Sequence, residues 1–373
     1  MSEAGAETII VGGGMVGAAI AWGLARLGGR VLLLDEGDEA HRAARANFGL
    51  VWTQAKGDGL TDYALWTRES AALWPDFQEM LLNETGISCG FSAPGGLHIC
   101  MSEEELEQRR NLLARMSDIN GPHPFEARII DRKEVEALTP GIGPDVAGAG
   151  WCAQDGHASP HGMLLAMHRG ILAHGGRILS GRHVDRISRE GGLWRVFAGA
   201  ERFDGDRLVL AAGIGNRALG EMSGLPVPVF GVKGQILVTE RMGPRLSLPT
   251  HKARQTEAGT ILLGDSKEPE AGLDDRSKAS VIKDIAARSL QIYPWLSEVN
   301  LVRAWGGART MTEDGFPVYE AAPDLPGLFA ANCHSGVTLA PVHALRLAPM
   351  IAAGGYGPEI AALTSERFDV QTH

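Results

Sequence analysis

The chain has 373 residues, 44% of them hydrophobic and 21% charged, with a formal net charge of −10 and a pI near 5.7. That length is more than one domain core usually serves, so two domains are expected, and the acidic balance disfavours nucleic acid and anionic membrane as partners. No apolar run approaches a membrane span, the polar start MSEAGAE does not read as an export signal, and four scattered cysteines (Cys89, Cys100, Cys152, Cys333) without C-x-x-C argue against a metal or iron–sulfur site and fit a reducing, cytoplasmic setting.

Thr8 to Val11 is a short β-branched run and reads as a buried strand. Gly12, Gly14 and Gly17 follow in G-x-G-x-x-G spacing, which allows a tight turn, backbone approach to a pyrophosphate, and close packing of a helix on the strand. Met15 and Val16 fall inside this turn. Ala18 to Leu27 reads as the helix whose N-terminal amides would meet the phosphates, and Gly28-Gly29 stops it. Val31 to Leu34 is a second strand ending in Asp35-Glu36, where a ribose hydroxyl is held. An acid there fits NAD or FAD and argues against NADP.

Residues 38–60 lack periodicity and read as a glycine-punctuated loop containing RAARANFGLVWTQAKGDG, with three basic residues. Asp62 to Glu84 reads as a long helix, Gly95 to Cys100 as a strand, and SEEELEQRRNLLARM as a helix capped by its serine. Asp131 to Leu138 is a further short helix. His161 to Leu179 gives a helix, a glycine pair and a strand. His183 to Ile187 and Trp194 to Ala198 suggest a hairpin, and Asp206 to Leu210 a strand running into Ala211, Ala212 and Gly213. Strand-like runs recur in GQILVTE and TILLG. RAWGGARTMTEDGFPVYEA follows, and LFAA then leads through NCHSGVT into a helix beginning near Thr338.

Three strands of one sheet thus end near one cleft, and the last helix would aim its N-terminus there. A flavin, whose reduction puts negative charge near N1 and C2=O, needs such a feature. The fold class expected is α/β: a doubly wound, Rossmann-like nucleotide domain interrupted by a strand-rich α+β substrate domain. The boundaries expected are 1–85, 150–222 and 305–373 for the first and 86–149 and 223–304 for the second.

GGGMVG with Asp35, LVLAAG, WGGARTMTEDGFP and HSGVTLAP together resemble the FAD-dependent amine and amino-acid oxidoreductases, the family of D-amino acid oxidase, glycine oxidase and sarcosine oxidase, over nearly the whole chain. RANFGLVW is most similar to β-type subunits of multi-subunit members, such as opine oxidases and D-hydroxyproline dehydrogenases. The resemblance implies FAD as cofactor, with Gly12, Gly14 and Gly17 at its pyrophosphate and Asp35 or Glu36 at its ribose. Arg45, Ala46, Asn47, Gly49 and Leu50 would run beside the flavin, Val184 would touch the adenine side, and Ala211 to Gly213 would lie along the cofactor. Gly336, Val337 and Thr338 would face the pyrimidine end.

Arg309 falls where the family grips a substrate carboxylate, and a guanidinium fork after Gly306-Gly307 suits that role; the alternative is an ordinary salt bridge. Gly307 stands where monomeric sarcosine oxidases attach the flavin through a cysteine, so the FAD is expected to be non-covalent. Cys333 is the one cysteine near a flavin motif. THKARQ (Thr250 to Gln255) has no counterpart of the tyrosine with which glycine oxidase helps hold its substrate, and Thr310 replaces a common proline. His334 is a candidate base or proton relay, or else a packed histidine. Lys233 is a candidate for attracting an anion, or else a solvated lysine. The implied reaction is oxidation of the C–N bond of an amino acid, imino acid or opine by hydride transfer from Cα–H to flavin N5. The alternative is a flavin-holding subunit inactive without partners carrying further redox cofactors.

Overall fold

The computed structural model describes residues 6–37, 43–269 and 274–369. Residues 38–42 of the expected loop, and the leader through residue 5, lie outside them. Strand β1 (Ala6–Val11), helix α1 (Met15–Arg26) and β2 (Val31–Leu34) form the opening unit. Then come β3 (Leu50–Val51), α2 (Thr61–Thr85), β4 (Gly96–Cys100), α3 (Glu103–Ser117), β5 (Ala127–Asp131), α4 (Arg132–Leu138), β6 (Gly148–Cys152) and β7 (Gly156–His157). Helix α5 (Pro160–Ala173) precedes β8 (Arg177–Leu179), β9 (Arg186–Glu190), β10 (Leu193–Ala198), β11 (Glu201–Leu210) and α6 (Asn216–Ser223). The remainder is β12 (Phe230–Arg241), β13 (Ala253–Gln255), β14 (Thr260–Leu263), α7 (Ala279–Ile292), β15 (Leu301–Met311), β16 (Val318–Ala321), β17 (Leu328–Asn332) and α8 (Gly336–Val342).

The nucleotide sheet has the order β16-β17-β11-β1-β2-β8, with β10 and β9 added on the first half of β11. Its central strands are parallel. Strand residues alternate between two cores, as a period of two requires. Ile10, Leu33 and Val209 face the helices α1, α2, α5 and α8, whereas Ile9, Val11, Leu32, Leu34, Leu208 and Leu210 face the side covered by β9, β10 and Val184. Both faces are therefore buried, and the β1 and β2 sequences read as unbroken apolar runs.

The second part is built from two antiparallel sheets, β13-β14-β12-β15 and β4-β6-β5, bridged at Leu97 and Thr250 and sharing one core with α7. The Ser102 hydroxyl accepts from Glu105 N, the cap expected there, while Asp131, expected as the first residue of α4, instead caps it by accepting from Glu134 N.

Four further expectations change. The hairpin's first strand begins at Arg186, not His183. Strand β11 begins at Glu201 because its first half pairs with β10. The boundary at 305 falls inside β15, whose residues pair through Met311 with β12, and residues 150–152 belong to the sheet of β4 and β5. Finally, Gly336–Ala353 forms one helical run of 18 residues and mean hydropathy 1.3, long and apolar enough to cross a membrane, although no such run was expected. Pro341, Arg346 and Pro349 obscure it in the sequence. The run is 67% buried, and Gly23 of α1 packs so tightly on it that a Cβ would overlap the Ala344 carbonyl.

Candidate functional site

The glycine turn is closed by sterics. Gly12 sits at φ +108°, and a Cβ there would lie 2.5 Å from the Ala211 carbonyl oxygen, which places Ala211 and Ala212 directly beside the turn, while Gly213 lies against Thr310. A Cβ on Gly17 would overlap the Gly12 carbonyl, so both positions demand glycine. Gly14 differs: a Cβ there would meet only Ala44, at 3.7 Å, leaving its face open. The first intrahelical bond runs from Ala18 N to Gly14 O, so the amides of Met15, Val16 and Gly17 are donors that α1 cannot satisfy. A cradle shaped this way fits a pyrophosphate.

Asp35 braces the same turn. Its carboxylate accepts from Gly13 N at 2.7 Å and Gly37 N at 2.9 Å. An ionised carboxylate has about four lone-pair sites, so capacity for a ribose hydroxyl remains. Glu36 is exposed and pairs with His183 at 3.2 Å, which makes Asp35 the better-placed of the two. Val184 is buried in the core beneath β2 and β11.

The loop from Arg45 to Leu50 is held between the two parts of the molecule. Asn47 Oδ1 accepts from Gly49 N at 2.7 Å, and Gly49 has φ +89°. Ala46 O accepts from the Trp305 indole, and Phe48 O from buried Arg254. Thr338 in α8 ties this loop to the C-terminal helix: its hydroxyl accepts from Trp52 N at 3.1 Å and donates to Leu50 O at 3.3 Å. Leu339 N bonds back to Ser335 O, so the amides of Gly336, Val337 and Thr338 are the donors this helix leaves unmatched. A Cβ on Gly336 would meet Met15 Cβ at 3.1 Å, so the starts of α1 and α8 adjoin.

Strand register decides which side chains enter the cleft. Arg309 lies opposite Val232, Gly307 opposite Gly234, and Trp305 opposite Ile236. With side chains alternating, Arg309, Gly307, Gly234 and Trp305 share one face. Neither facing glycine puts a side chain between Trp305 and Arg309, and the space over Gly234 is taken by the Arg309 guanidinium, which a Cβ there would overlap.

Lys233 points the other way. Its side chain is fully buried on the opposite face, donating to Arg276 O at 2.5 Å and pairing with Asp274 at 3.4 Å. The cleft role expected for Lys233 does not survive this placement, because its register partner Ala308 lies one residue from Arg309.

Arg309 is partnered. Its guanidinium donates to Ser266 O at 2.8 Å and Lys233 O at 3.5 Å, and pairs with Asp265 at 3.1 Å. Asp265 also pairs with Lys252 at 2.9 Å, and these cations hold its carboxyl below the usual range against the opposing effect of burial. Guanidinium has five N–H groups, so among the described residues two are left without a partner.

His334 stands across the cleft, 3.5 Å from Lys56 Nζ. Burial lowers its pKa well below the ordinary value, and the charges of Lys56, Arg309 and Lys267 lower it further, with Asp265 opposing. The imidazole is therefore neutral and a weak base at neutral pH. Burial also lowers Lys56 to about 8 and raises the Cys333 thiol to about 12, so the latter stays protonated. Lys56, Asp265 and Lys267 were not singled out in sequence. Lys56 sits in the basic loop motif and Asp265 follows TILLG, but neither spacing announces a partner.

The model of the FAD dependent oxidoreductase family matches residues 7–350. An opine oxidase subunit of Rhizobium meliloti is 41% identical, with 98% of each chain covered. Glycine oxidase of Bacillus licheniformis is 26% identical over 97% of each. The crystal structure of glycine oxidase from Geobacillus kaustophilus superposes with a TM-score of 0.87 at 24% identity, covering 96% of this chain and 98% of that one, a likeness of fold. With its glycine cradle, strand-end acid and C-terminal helix in place, the chain belongs to the FAD dependent oxidoreductase family.

Proposed function

We propose that the chain oxidises the C–N bond of an amino acid or N-substituted amino acid: a D-amino acid, an imino acid or an opine. The carrying observation is Arg309 laid over the glycine pair of Gly234 and Gly307, on the strand face from which Trp305 donates to Ala46 O of the loop. FAD, when bound, would supply the acceptor for the hydride leaving Cα–H; the oxidised amine would release its N–H proton to water, and the resulting imine would be hydrolysed. Arg309 holds the substrate carboxylate in a bidentate grip. Trp305 and Phe48 wall this face and exclude water, since both pack with Ile236 and Val238. His334 offers a neutral ring that accepts or donates one hydrogen bond without taking the substrate's proton. Gly307 in place of a linking cysteine, and a protonated Cys333 thiol, support non-covalent FAD.

A second reading follows from the relative named as a subunit: the chain passes its electrons to a partner chain carrying further redox cofactors. A cytoplasmic location fits its four free thiols.

The test is anaerobic mixing of the FAD-loaded protein with single amines, following the flavin absorption near ~450 nm, the cofactor's own reporter. Bleaching by an amino or imino acid, abolished in Arg309→Ala, is expected. A loaded protein that no such amine bleaches, with or without its partner chains, overturns the reading.

A further inference from the structure

We propose that Lys233 is a positioning residue: from the face of β12 opposite Arg309 it fastens the two arms of the β14–α7 connection (residues 264–269 and 274–278), and these arms aim the Arg309 guanidinium into the cleft. The proposal rests on the reading of Arg309 as the carboxylate anchor and names what holds that anchor in its direction.

Three acceptors orient the guanidinium. Two of them, the Asp265 carboxylate and Ser266 O, belong to the first arm, and the third is Lys233 O. The first arm is tied down at both ends. At Asp265, Lys252 pairs with the carboxylate and Arg288 donates to the carbonyl at 2.7 Å. At Glu268 the chain bridges back to β12: Lys233 O accepts from Glu268 N at 2.9 Å, and Lys233 N donates to Glu268 O at 3.3 Å. Between them, the Ser266 hydroxyl accepts from Gln235 N at 2.9 Å. The second arm is tied by the lysine side chain itself. Its ammonium donates to Arg276 O at 2.5 Å and pairs with Asp274 at 3.4 Å, while Gln235 Oε1 accepts from Lys278 N at 2.9 Å. Lys278 then pairs with Glu268 at 3.3 Å and joins the second arm to the first.

The paired glycines of WGGAR divide between the two faces of β15. Gly307 lies opposite Gly234 on the Arg309 face. Gly306 turns to the other face, where a Cβ would stand 3.0 Å from Lys233 Cε and 2.8 Å from Asp275 O. That glycine makes room for the lysine stem and for the second arm's backbone. A fully buried ammonium is costly to desolvate, and an apolar side chain would fill the same space without that cost. What the lysine adds is direction, because its donors and charge accept one placement of Arg276 O and Asp274.

Binding tests this separately from oxidation. (Methylthio)acetate carries one carboxylate and no amine, so it cannot form an imine. It is titrated into the FAD-loaded protein by calorimetry and by the perturbation of the flavin spectrum, in the wild type, Arg309→Ala, Lys233→Met and the double variant. We expect Arg309→Ala to weaken binding by roughly thirtyfold or more and Lys233→Met by about fivefold, each with normal flavin content. The double variant should bind no more weakly than Arg309→Ala, because a residue that acts through the guanidinium has nothing to act on once it is gone. Losses that add in full, as a general structural defect would give, or wild-type affinity in Lys233→Met, overturn the proposal. If the methionine variant does not fold, Gly306→Ala, which crowds the same lysine stem and carbonyl, takes its place in the cycle and is read in the same way. Wild-type affinity in Arg309→Ala sinks the anchor reading itself. A loss there with none in Lys233→Met sinks this proposal and leaves the anchor.

Discussion

The glycine turn at the start of α1 and the cleft beside β15, the two binding surfaces of the proposed function, are specified by different physics. At the turn, shape decides: Gly12 and Gly17 admit no side chain, and Asp35 bonds two backbone amides of its own neighbourhood. Most of that geometry comes from residues close in sequence. In the cleft, charge decides: Arg309, Lys252, Asp265, Lys56 and His334 come from distant segments and are held together by ion pairs and hydrogen bonds. A surface closed by sterics tolerates almost no substitution. One balanced by charge tolerates change in graded steps and is the natural place for substrate selection.

The largest effect expected is at the turn. Gly17→Val drives a side chain into the Gly12 carbonyl, so the purified protein should lack flavin and fail to take up added FAD, as read by absorption and calorimetry. A Gly17→Val protein with normal FAD content breaks the contrast between the two surfaces. Next is Arg309→Ala, which on the proposed reading removes one partner of a charge-assisted grip worth about 2–5 kcal/mol and should lower kcat/KM by roughly a hundred- to a thousandfold while FAD content stays normal. A parallel loss of FAD would show that the two regions are not independent.

Asp155 is fully buried and bonds Thr53 and Gln54 of the loop. Burial raises its pKa from 3.8 to about 6, partly offset by those hydrogen bonds and by Arg109. For an acid whose folded-state pKa is raised, stability falls as pH rises from the unfolded to the folded value. Between about pH 4 and 6 this group should therefore withdraw up to about 3 kcal/mol. Paired carboxylates such as Asp265 work in the opposite direction, so the measurement is the difference in unfolding free energy between wild type and Asp155→Asn across pH 4.5 to 7.5. A flat difference would show that Asp155 does not titrate with folding.

The smallest effect belongs to Lys56. With its pKa lowered to about 8 by burial, it is charged below that pH and neutral above, so the Kd of a carboxylate ligand in the cleft should rise between pH 7 and 9.5. Lys56→Arg should flatten the profile. The same rise in the arginine variant would assign the pH dependence to another group.

Much of this was legible in the residues. The β1–α1–β2 unit, the long α2, the cap at Ser102, and the chemistry of the glycine spacing all arise from interactions within a few residues, and each stands where its pattern puts it. Tertiary structure alone decided that β15 pairs with β12 through Met311, that Lys233 turns away from Arg309, that Arg309 meets Asp265, and that Lys56 reaches His334. Periodicity tells which residues share a face of a strand, but not which face meets the cleft. That choice is made by the register with a partner strand dozens of residues away, and no local pattern carries it.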